Sequence, residues 1–246
     1  YFVSAVLIGA GVAFLLAVKI ARPFLKDQPK DPAEKVSLHT ALAGLRFIRK
    51  TPILLAAISL DLFAVLFGGA VALLPAIAED RLHVGDVAYG WLRAAPGIGA
   101  AIMAVILASR PVTRRVGRTL LFVVGLFGIA TVVLGVTTSY FVAFVALVIL
   151  AGADMISVYI RGTLVPLVTP DDKRGRVMAV ENVFIGASNE LGAFESGVAA
   201  QAFGTQTAVI GGGIATLGVV AMYSIFFPTL RNVDRFEDLE GHGDEI

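Results

Sequence analysis

Three of the acidic side chains inside long apolar stretches of this sequence are candidates for chemistry, because an ionised group is costly there. They are Asp61, Asp154 and Glu190. A charge within the hydrocarbon of a membrane costs a few kcal/mol on insertion scales, so such residues usually face a bundle interior or a water-filled cavity. Desolvation disfavours the charged form of a carboxyl group, which suits the exchange of protons. The three residues therefore indicate a site for a proton or a small cation. The alternative for each is a structural ion pair or hydrogen bond.

Glu190 is the first choice for a protonatable carboxylate, because it lies nearest the middle of its stretch. Asn189 precedes it on the polar side of the predicted helix. Bulky apolar residues form a separate stripe on that helix: Val180, Phe184, Leu191, Phe194 and Val198. The alternative is that Glu190 forms a hydrogen bond between helices and only fixes their packing.

Arg161 and Glu181 are two further ionisable residues inside the predicted spans. Arg161 follows Asp154 by seven residues, which places both on one face of a helix. It is a candidate for the same site, and the alternative is that its long side chain reaches the membrane surface. Glu181 lies near the basic end of its helix, close in sequence to Arg174 and Arg176. We therefore expect it to form an ion pair with a gating or structural role.

Seven apolar stretches are long enough to hold these residues in membrane-spanning helices. A hydrocarbon core about 30 Å thick needs roughly 20 helical residues, and a helix satisfies its own backbone hydrogen bonds in lipid. The predicted spans are 1–18, 52–78, 89–109, 119–137, 140–163, 178–200 and 207–228. They are too long and too continuously apolar for the strands of a barrel. The sequence therefore predicts an all-α polytopic membrane protein.

Composition supports this class and argues against several others. Charged residues make up 16% of the chain, against roughly 25% in soluble domains. A net charge of +1 gives no electrostatic case for nucleic-acid binding. There is no cysteine and the three histidines are far apart, so we expect neither a metal site nor a cofactor. The sequence lacks the HExxH, GxSxG, P-loop and dinucleotide-binding motifs that would indicate an enzyme.

Lys and Arg alternate between successive loops and so predict the orientation. The basic segments are 19–50, 110–118, 164–177 and the tail after 228, and the intervening loops hold one Arg at most. Basic loops are cytoplasmic under the positive-inside rule. The carboxyl terminus is therefore predicted to be cytoplasmic.

One long loop divides the chain. Residues 21–51 contain Pro23, Pro29 and Pro32 and then an amphipathic segment at Leu38–Lys50. This pattern predicts a cytoplasmic linker with a surface helix. The first span, within 1–20, lacks the basic start of a signal peptide, so we expect it to be the last helix of a preceding half. Residues 52–228 hold the other six spans, and 229–246 form the tail.

The six later spans divide into two triplets. Because three is an odd number, the second triplet must be inverted relative to the first, an arrangement that recurs in transporters. Charges fall on the first and second helices of each triplet, whereas the third helices carry none. The second helices are also rich in Gly and Ala, which allow close packing of helices in lipid.

Three segments carry a resemblance to a known family. They are DLFAVLFGGAVALLPAIAEDRLHVG from Asp61, GWLRAAPGIGA from Gly90 and RGRVMAVENVFIGASNELGAFESG from Arg174. The chain resembles the C-terminal half of a major facilitator superfamily transporter and is similar to the bacterial branch that includes the enterobactin (siderophore) exporter. The resemblance implies a location in the bacterial inner (plasma) membrane and a six-helix N-terminal half that is missing here. It also implies that the first helices of each triplet line a central cavity and the second helices join the halves.

The loop after the third span resembles the superfamily's cytoplasmic motif, roughly G-x-L-a-D-R-x-G-R-R. Arg115, Gly117 and Arg118 fit its R-x-G-R portion, but Arg114 occupies the position of the acid. The usual charge lock within this loop is therefore not expected.

The predicted loop at 169–178 is the better-kept copy of that motif, with Arg174, Gly175 and Arg176. The resemblance implies that residues of both copies bias conformational states and do not touch substrate.

These observations together predict a secondary active exporter. The sequence has no ATP site, so an ion gradient would drive transport while two halves alternate access around a cavity. Proton antiport is the hypothesis that the membrane carboxylates motivate. An amphipathic substrate, such as a siderophore or a lipophilic drug, fits helices that combine aromatic and aliphatic residues with few charges. The alternative is a non-transporting seven-helix membrane receptor or assembly protein.

Overall fold

The computed structural model describes residues 38–239, together with Gly9 and Ala13, which are helical. The predicted span at 1–18 therefore lies largely outside the described residues, as do most of the linker and the end of the tail. Residues 38–239 form helices with short connections and contain no β-strand. The predicted all-helical class is confirmed.

Eight helices occupy most of the described part of the chain. They are α1 (Leu38–Lys50), α2 (Pro52–Arg81), α3 (Asp86–Ser109), α4 (Val116–Val136), α5 (Tyr140–Val168), α6 (Asp171–Phe203), α7 (Thr205–Phe226) and α8 (Pro228–Arg231). Among described residues, five helices are long and apolar enough to cross a membrane: α2, α3, α4, α5 and α7. Helix α6 is longer still, at 33 residues, but acidic and basic side chains occur along most of its length.

Helix α2 changes its geometry midway. It consists of the regular helix Pro52–Phe67, the 3₁₀ segment Gly69–Leu73, the α-helical turn Leu74–Ala76 and the π-helical segment Ile77–Arg81. Pro75 has no N–H to donate, which favours irregularity here. A Cβ at Gly69 would lie 2.5 Å from the carbonyl oxygen of Gly192 in α6. The irregular region therefore lies directly against the backbone of α6.

Helix α6 begins earlier than the sequence predicted. A loop was expected at 164–177, but α5 continues to Val168 and α6 starts at Asp171. Two features favour this short connection. Pro170 holds a φ of −54°, as its ring requires. Asp171 and its neighbour Asp172 place negative charge at the positive end of the α6 dipole. The better-kept motif copy therefore lies on the first turns of a helix and not in a loop.

Arg174 stabilises the connection between α5 and α6. Because Pro170 has no N–H, the carbonyl of Pro166 lacks its normal helical donor. The Nε of Arg174 donates to that carbonyl oxygen at 3.2 Å. Its Nη2 lies 2.7 Å from Oδ1 of Asp171. One motif arginine thus satisfies a backbone group that the proline leaves without a partner.

Four helix pairs make the most extensive contacts in the described bundle: α4 with α7, α3 with α5, α4 with α5, and α2 with α6. Glycines allow close backbone contact between helices. A Cβ at Gly99 in α3 would overlap the carbonyl oxygen of Val148 in α5, and one at Gly212 in α7 would overlap that of Phe67 in α2. Small residues commonly serve this purpose in lipid, where helix association depends on close packing.

Gly211 and Gly212 are neighbours in α7 with opposite surroundings, which provides a test. No described residue lies within 4 Å of a Cβ built at Gly211, whereas a Cβ at Gly212 meets the backbone of Phe67. We expect Gly212→Ala to lower the free energy of unfolding in detergent by about 1–3 kcal/mol, the usual cost of overpacking. Gly211→Ala should raise stability by up to about 1 kcal/mol, through helix propensity. Equal thermal midpoints for the two variants would contradict the contact between α2 and α7.

Candidate functional site

A buried arginine lies at the centre of the charged residues in the bundle. Arg161 in α5 is only 4% exposed. Its Nη2 lies 2.8 Å from Oδ1 of Asp61 in α2, and its Nη1 lies 3.5 Å from Oε1 of Glu181 in α6. The arginine therefore connects three helices. Together with Asp154, which lies beside them, these residues are called the Arg161 cluster below.

The chemistry of the guanidinium explains why arginine occupies this position. Removing an ion from water costs several kcal/mol, which only good pairing and further hydrogen bonds offset. A guanidinium offers five donors in a planar fork and can meet two carboxylates at once. Arg161 does so and stays buried. It does not extend to the membrane surface, the alternative that the sequence left open.

Asp154 lies close to this network and lines a small cavity next to it. It interacts electrostatically with both Arg161 and Asp61. Asp61, Asp154 and Ser157 are the polar residues around a cavity of about 10 Å³, which is space for roughly one water molecule. Apolar residues of α2, α4 and α5 form the rest of its wall.

Two polar atoms of the cluster region are buried without a protein partner among the described residues. They are the Oγ of Ser157 and the Nε of Arg161. Buried polar atoms in native proteins nearly always have a partner, ordered water included. The hydroxyl and the carboxylates of Asp61 and Asp154 line the same cavity. This side of the cluster therefore has the groups needed to hold a water molecule or a proton.

The cluster contains more acids than bases. Arg161 interacts with three carboxylates, those of Asp61, Asp154 and Glu181. A single guanidinium cannot neutralise three ionised carboxylates. The surplus of ionisable acid at a buried position is what a site that exchanges protons or cations requires.

Glu190 and Asn189 lie apart from the Arg161 cluster. Both are exposed on α6 in the described part of the chain. The Nδ2 of Asn189 donates to the carbonyl oxygen of Ile185, one turn earlier, at 2.8 Å. The structure thus brings together Asp61, Asp154 and Arg161. It leaves Glu190, the first choice from the sequence, on an exposed face of α6.

Glu181 forms the expected kind of interaction with an unexpected partner. The sequence pointed to Arg174 or Arg176 because they are near in the chain. The carboxylate instead pairs with Arg161 of α5, and Arg174 pairs with Asp171. Distance along the chain was a poor guide because α6 packs against α2 and α5, which present other charged groups to it.

The loop before α4 obtains its acid from the C-terminal segment. Arg115 has a φ of +54°, and its N–H donates to Oδ1 of Asp234 at 3.1 Å. Arg114 Nε lies 3.9 Å from Oδ2 of the same residue. Gly117 donates its N–H to the carbonyl of Val233 at 3.1 Å. Arg118 is exposed on the first turn of α4.

Asp234 and Ser157 are the two residues of interest that sequence reasoning missed. The motif loop suggested that its acid was lost, and nothing in the loop signals that a carboxylate from beyond α8 takes part. Ser157 is one helical turn after Asp154 and one before Arg161. That spacing was a usable signal, because residues three or four apart share a helical face.

A family model of the major facilitator superfamily, described as "Transmembrane secretion effector", matches residues 4–242. Comparisons with curated proteins and with solved structures find no match.

Removal of the cluster's only arginine should be strongly destabilising. We expect Arg161→Met to cost about 3–5 kcal/mol, because it leaves buried carboxylates without a cation. The triple variant Arg161→Met, Asp61→Asn, Glu181→Gln also removes the two carboxylates that pair with Arg161 and should recover much of this loss. Thermal unfolding in detergent measures both, with the exposed Arg93→Gln as control. A single variant as stable as the control would exclude a structural role for the ion pairs.

Proposed function

The chain belongs to the transmembrane secretion effector family of the major facilitator superfamily, and we propose that it exports small amphipathic molecules as a secondary active transporter. Family membership points to a transporter and away from an enzyme. It also fits a small-molecule substrate and a multi-pass location in a lipid bilayer. The observation that carries the proposal is the Arg161 cluster, a buried network with surplus carboxylates between helices of the bundle.

Proton antiport is the proposed coupling. Asp61 and Asp154 share a cavity with the Ser157 hydroxyl, which has no partner among the described residues. The Arg161 guanidinium can hold one carboxylate ionised while another takes up a proton. Proton binding would change the pairing of Arg161 and so the attachment of α2 and α6 to α5. This link between protonation and helix packing is what alternating access around a central cavity needs.

The exposed polar face of α6 supports a second set of helices opposite this half. Asn189 and Glu190 are exposed near the middle of a 33-residue helix, where contact with lipid would be costly for a carboxylate. A Cβ built at Gly186 or Gly197 of α6, or at Gly97 of α3, meets nothing within 4 Å. We propose that an N-terminal six-helix half packs on α3 and α6, and that Glu190 faces a water-filled cavity between the halves.

The helix pairing supports an inverted repeat. In an inverted repeat of α2–α4 and α5–α7, helix α2 is equivalent to α5, α3 to α6, and α4 to α7. Replacing each helix by its equivalent turns the α2–α6 pair into the α5–α3 pair and leaves the α4–α7 pair unchanged. All three pairs are present. We propose a 3+3 arrangement on this basis.

A siderophore or a lipophilic drug is the proposed substrate class. The faces of α3 and α6 that would meet the other half combine exposed apolar side chains, such as Trp91 and Phe194, with few charges. Such a surface suits an amphipathic molecule. We further propose the bacterial inner membrane as the location, with the carboxyl terminus in the cytoplasm, because the basic segments alternate with nearly uncharged ones.

The cavity can be tested by thiol labelling, because the chain has no cysteine of its own. We expect Glu190→Cys to react with a membrane-impermeant maleimide in native membranes, since water should reach this position. Ile214→Cys lies near the middle of α7 and is also exposed, but it should face lipid and stay unlabelled. Labelling of both positions alike, or of Ile214→Cys alone, would contradict a cavity beside α6.

The proposed coupling can be tested in inverted membrane vesicles that contain the full-length protein. Addition of ethidium or of a catecholate siderophore to acidified vesicles should release protons, followed with a pH-sensitive dye. We expect Asp61→Asn or Asp154→Asn to reduce this release to near background, because each removes a carboxylate of the cavity. Asp86→Asn, at the exposed start of α3, is the control. Full proton-coupled efflux in Asp61→Asn, Asp154→Asn and Glu190→Gln would exclude these carboxylates as carriers.

A further inference from the structure

The small cavity beside the Arg161 cluster brings three oxygen-bearing side chains together. Asp154 and Ser157 of α5 are one helical turn apart, so they share a face of that helix. Asp61 lines the same cavity from α2. The cavity volume of about 10 Å³ is room for roughly one water molecule. Because a buried water usually makes about three hydrogen bonds, these three side chains match what one water needs.

The pairing of the Ser157 hydroxyl differs from that of several other buried hydroxyl groups. Within helices, a Ser or Thr hydroxyl often donates to a carbonyl three or four residues earlier. Thr131, Thr169 and Ser188 are buried and do so. Ser157 is only 2% exposed, yet its Oγ has no partner among the described residues. Its hydroxyl is therefore available to a molecule in the cavity.

The two carboxylates of the cavity differ in their access to the surroundings. Asp154 is partly exposed, whereas Asp61 is only 5% exposed. Oδ1 of Asp61 is paired with Arg161, but the two oxygens of a carboxylate can accept several hydrogen bonds. A proton that enters from outside the bundle therefore meets Asp154 first, and the cavity connects that residue to Asp61.

Among the described residues, Asp61 and Asp154 are the only charged groups that line this cavity. Arg161 and Glu181 belong to the cluster but do not border the cavity, and α4 contributes only apolar side chains: Val123, Val124 and Phe127. A sodium ion is disfavoured here, because the guanidinium that pairs with Asp61 repels a second cation. Neutral water and the protons of two carboxyl groups suit the cavity better.

We propose that Ser157 positions one water molecule that carries a proton between Asp154 and Asp61. The protonated carboxyl group of Asp154 donates its proton to the water, while the water donates one of its own to an oxygen of Asp61. One O–H bond forms and one breaks at the water, so it is restored, and negative charge moves from Asp61 to Asp154. No other reactant is needed.

This transfer acts on the pairing of Arg161. Once Asp61 is protonated, it no longer balances the charge of the guanidinium, which weakens the link between α2 and α5. Ser157 is thus a positioning residue for the proposed proton coupling, and its role in transport rests on that proposed function.

Infrared difference spectroscopy of the purified full-length protein tests for the water without any transport. Spectra between neutral and acidic pH are compared in ordinary water and in water labelled with the heavy oxygen isotope, which lowers the O–H stretching frequency of a bound water. We expect such a band in the unaltered protein and its loss in Ser157→Ala. The matched control is Ser188→Ala, which should retain the band, because Ser188 is equally buried but bonds to its own helix.

The proton transfer itself is measured as the rate of carboxyl protonation after a rapid drop in pH, followed through the carboxyl C=O band. Asp61→Asn and Asp154→Asn assign the contribution of each acid. We expect Ser157→Ala to slow the protonation of Asp61 by about tenfold to hundredfold, the usual cost of a misplaced reacting group, and to leave that of Asp154 unchanged. Ser188→Ala should alter neither rate. Ser157→Cys retains a weak donor and should give an intermediate rate, which misfolding does not produce.

The outcomes separate this inference from the proposed antiport. A water band that persists in Ser157→Ala, or that disappears equally in Ser188→Ala, would overturn the inference. Equal rates of Asp61 protonation in the two variants would also overturn it. If the spectra and rates are as expected but vesicles with the unaltered protein release no protons when substrate is added, the antiport is wrong and the proton transfer through water stands.

Discussion

The charge of Arg161 is the constraint on which the rest of this bundle depends. An arginine that is 4% exposed among apolar helices must be compensated, because a lone buried ion is too costly to keep. Asp61 and Glu181 come from two other helices to meet it. The network therefore fixes how α2, α5 and α6 are oriented about their axes. Any event that changes its charge state acts on all three helices together.

Glycines set the distances at which this network can form. At Gly69 and Gly192, the backbones of α2 and α6 come into direct contact. Similar contacts at Gly99 and Gly212 bring α3 close to α5 and α7 close to α2. In lipid there is little hydrophobic drive for helices to associate, so close backbone contact and buried polar pairs share the task of holding the bundle.

The candidate site could be predicted only in part. Asp61, Asp154 and Arg161 stand out in the sequence because a charge in an apolar stretch is costly and usually has a structural or functional role. Glu181 was found as an ion-pair residue with the wrong partner, and Asp234 was not found at all. In both cases the partner is distant in the chain and close in the bundle. Glu190 was the first choice for a protonatable carboxylate because it lies near the middle of its helix. Position along a helix does not determine which residues a side chain contacts.

The sequence by itself determined that this protein lies in a membrane and approximately where its helices lie. Hydropathy is a local property, so long apolar stretches specify membrane helices wherever they occur. Helices α2, α3, α4 and α7 lie close to where these stretches predict them, whereas α5 ends later and α6 begins earlier. The tertiary structure alone decided which charges meet and which carboxylates line a cavity with Ser157. These depend on the rotation of each helix about its axis, which packing between distant segments sets.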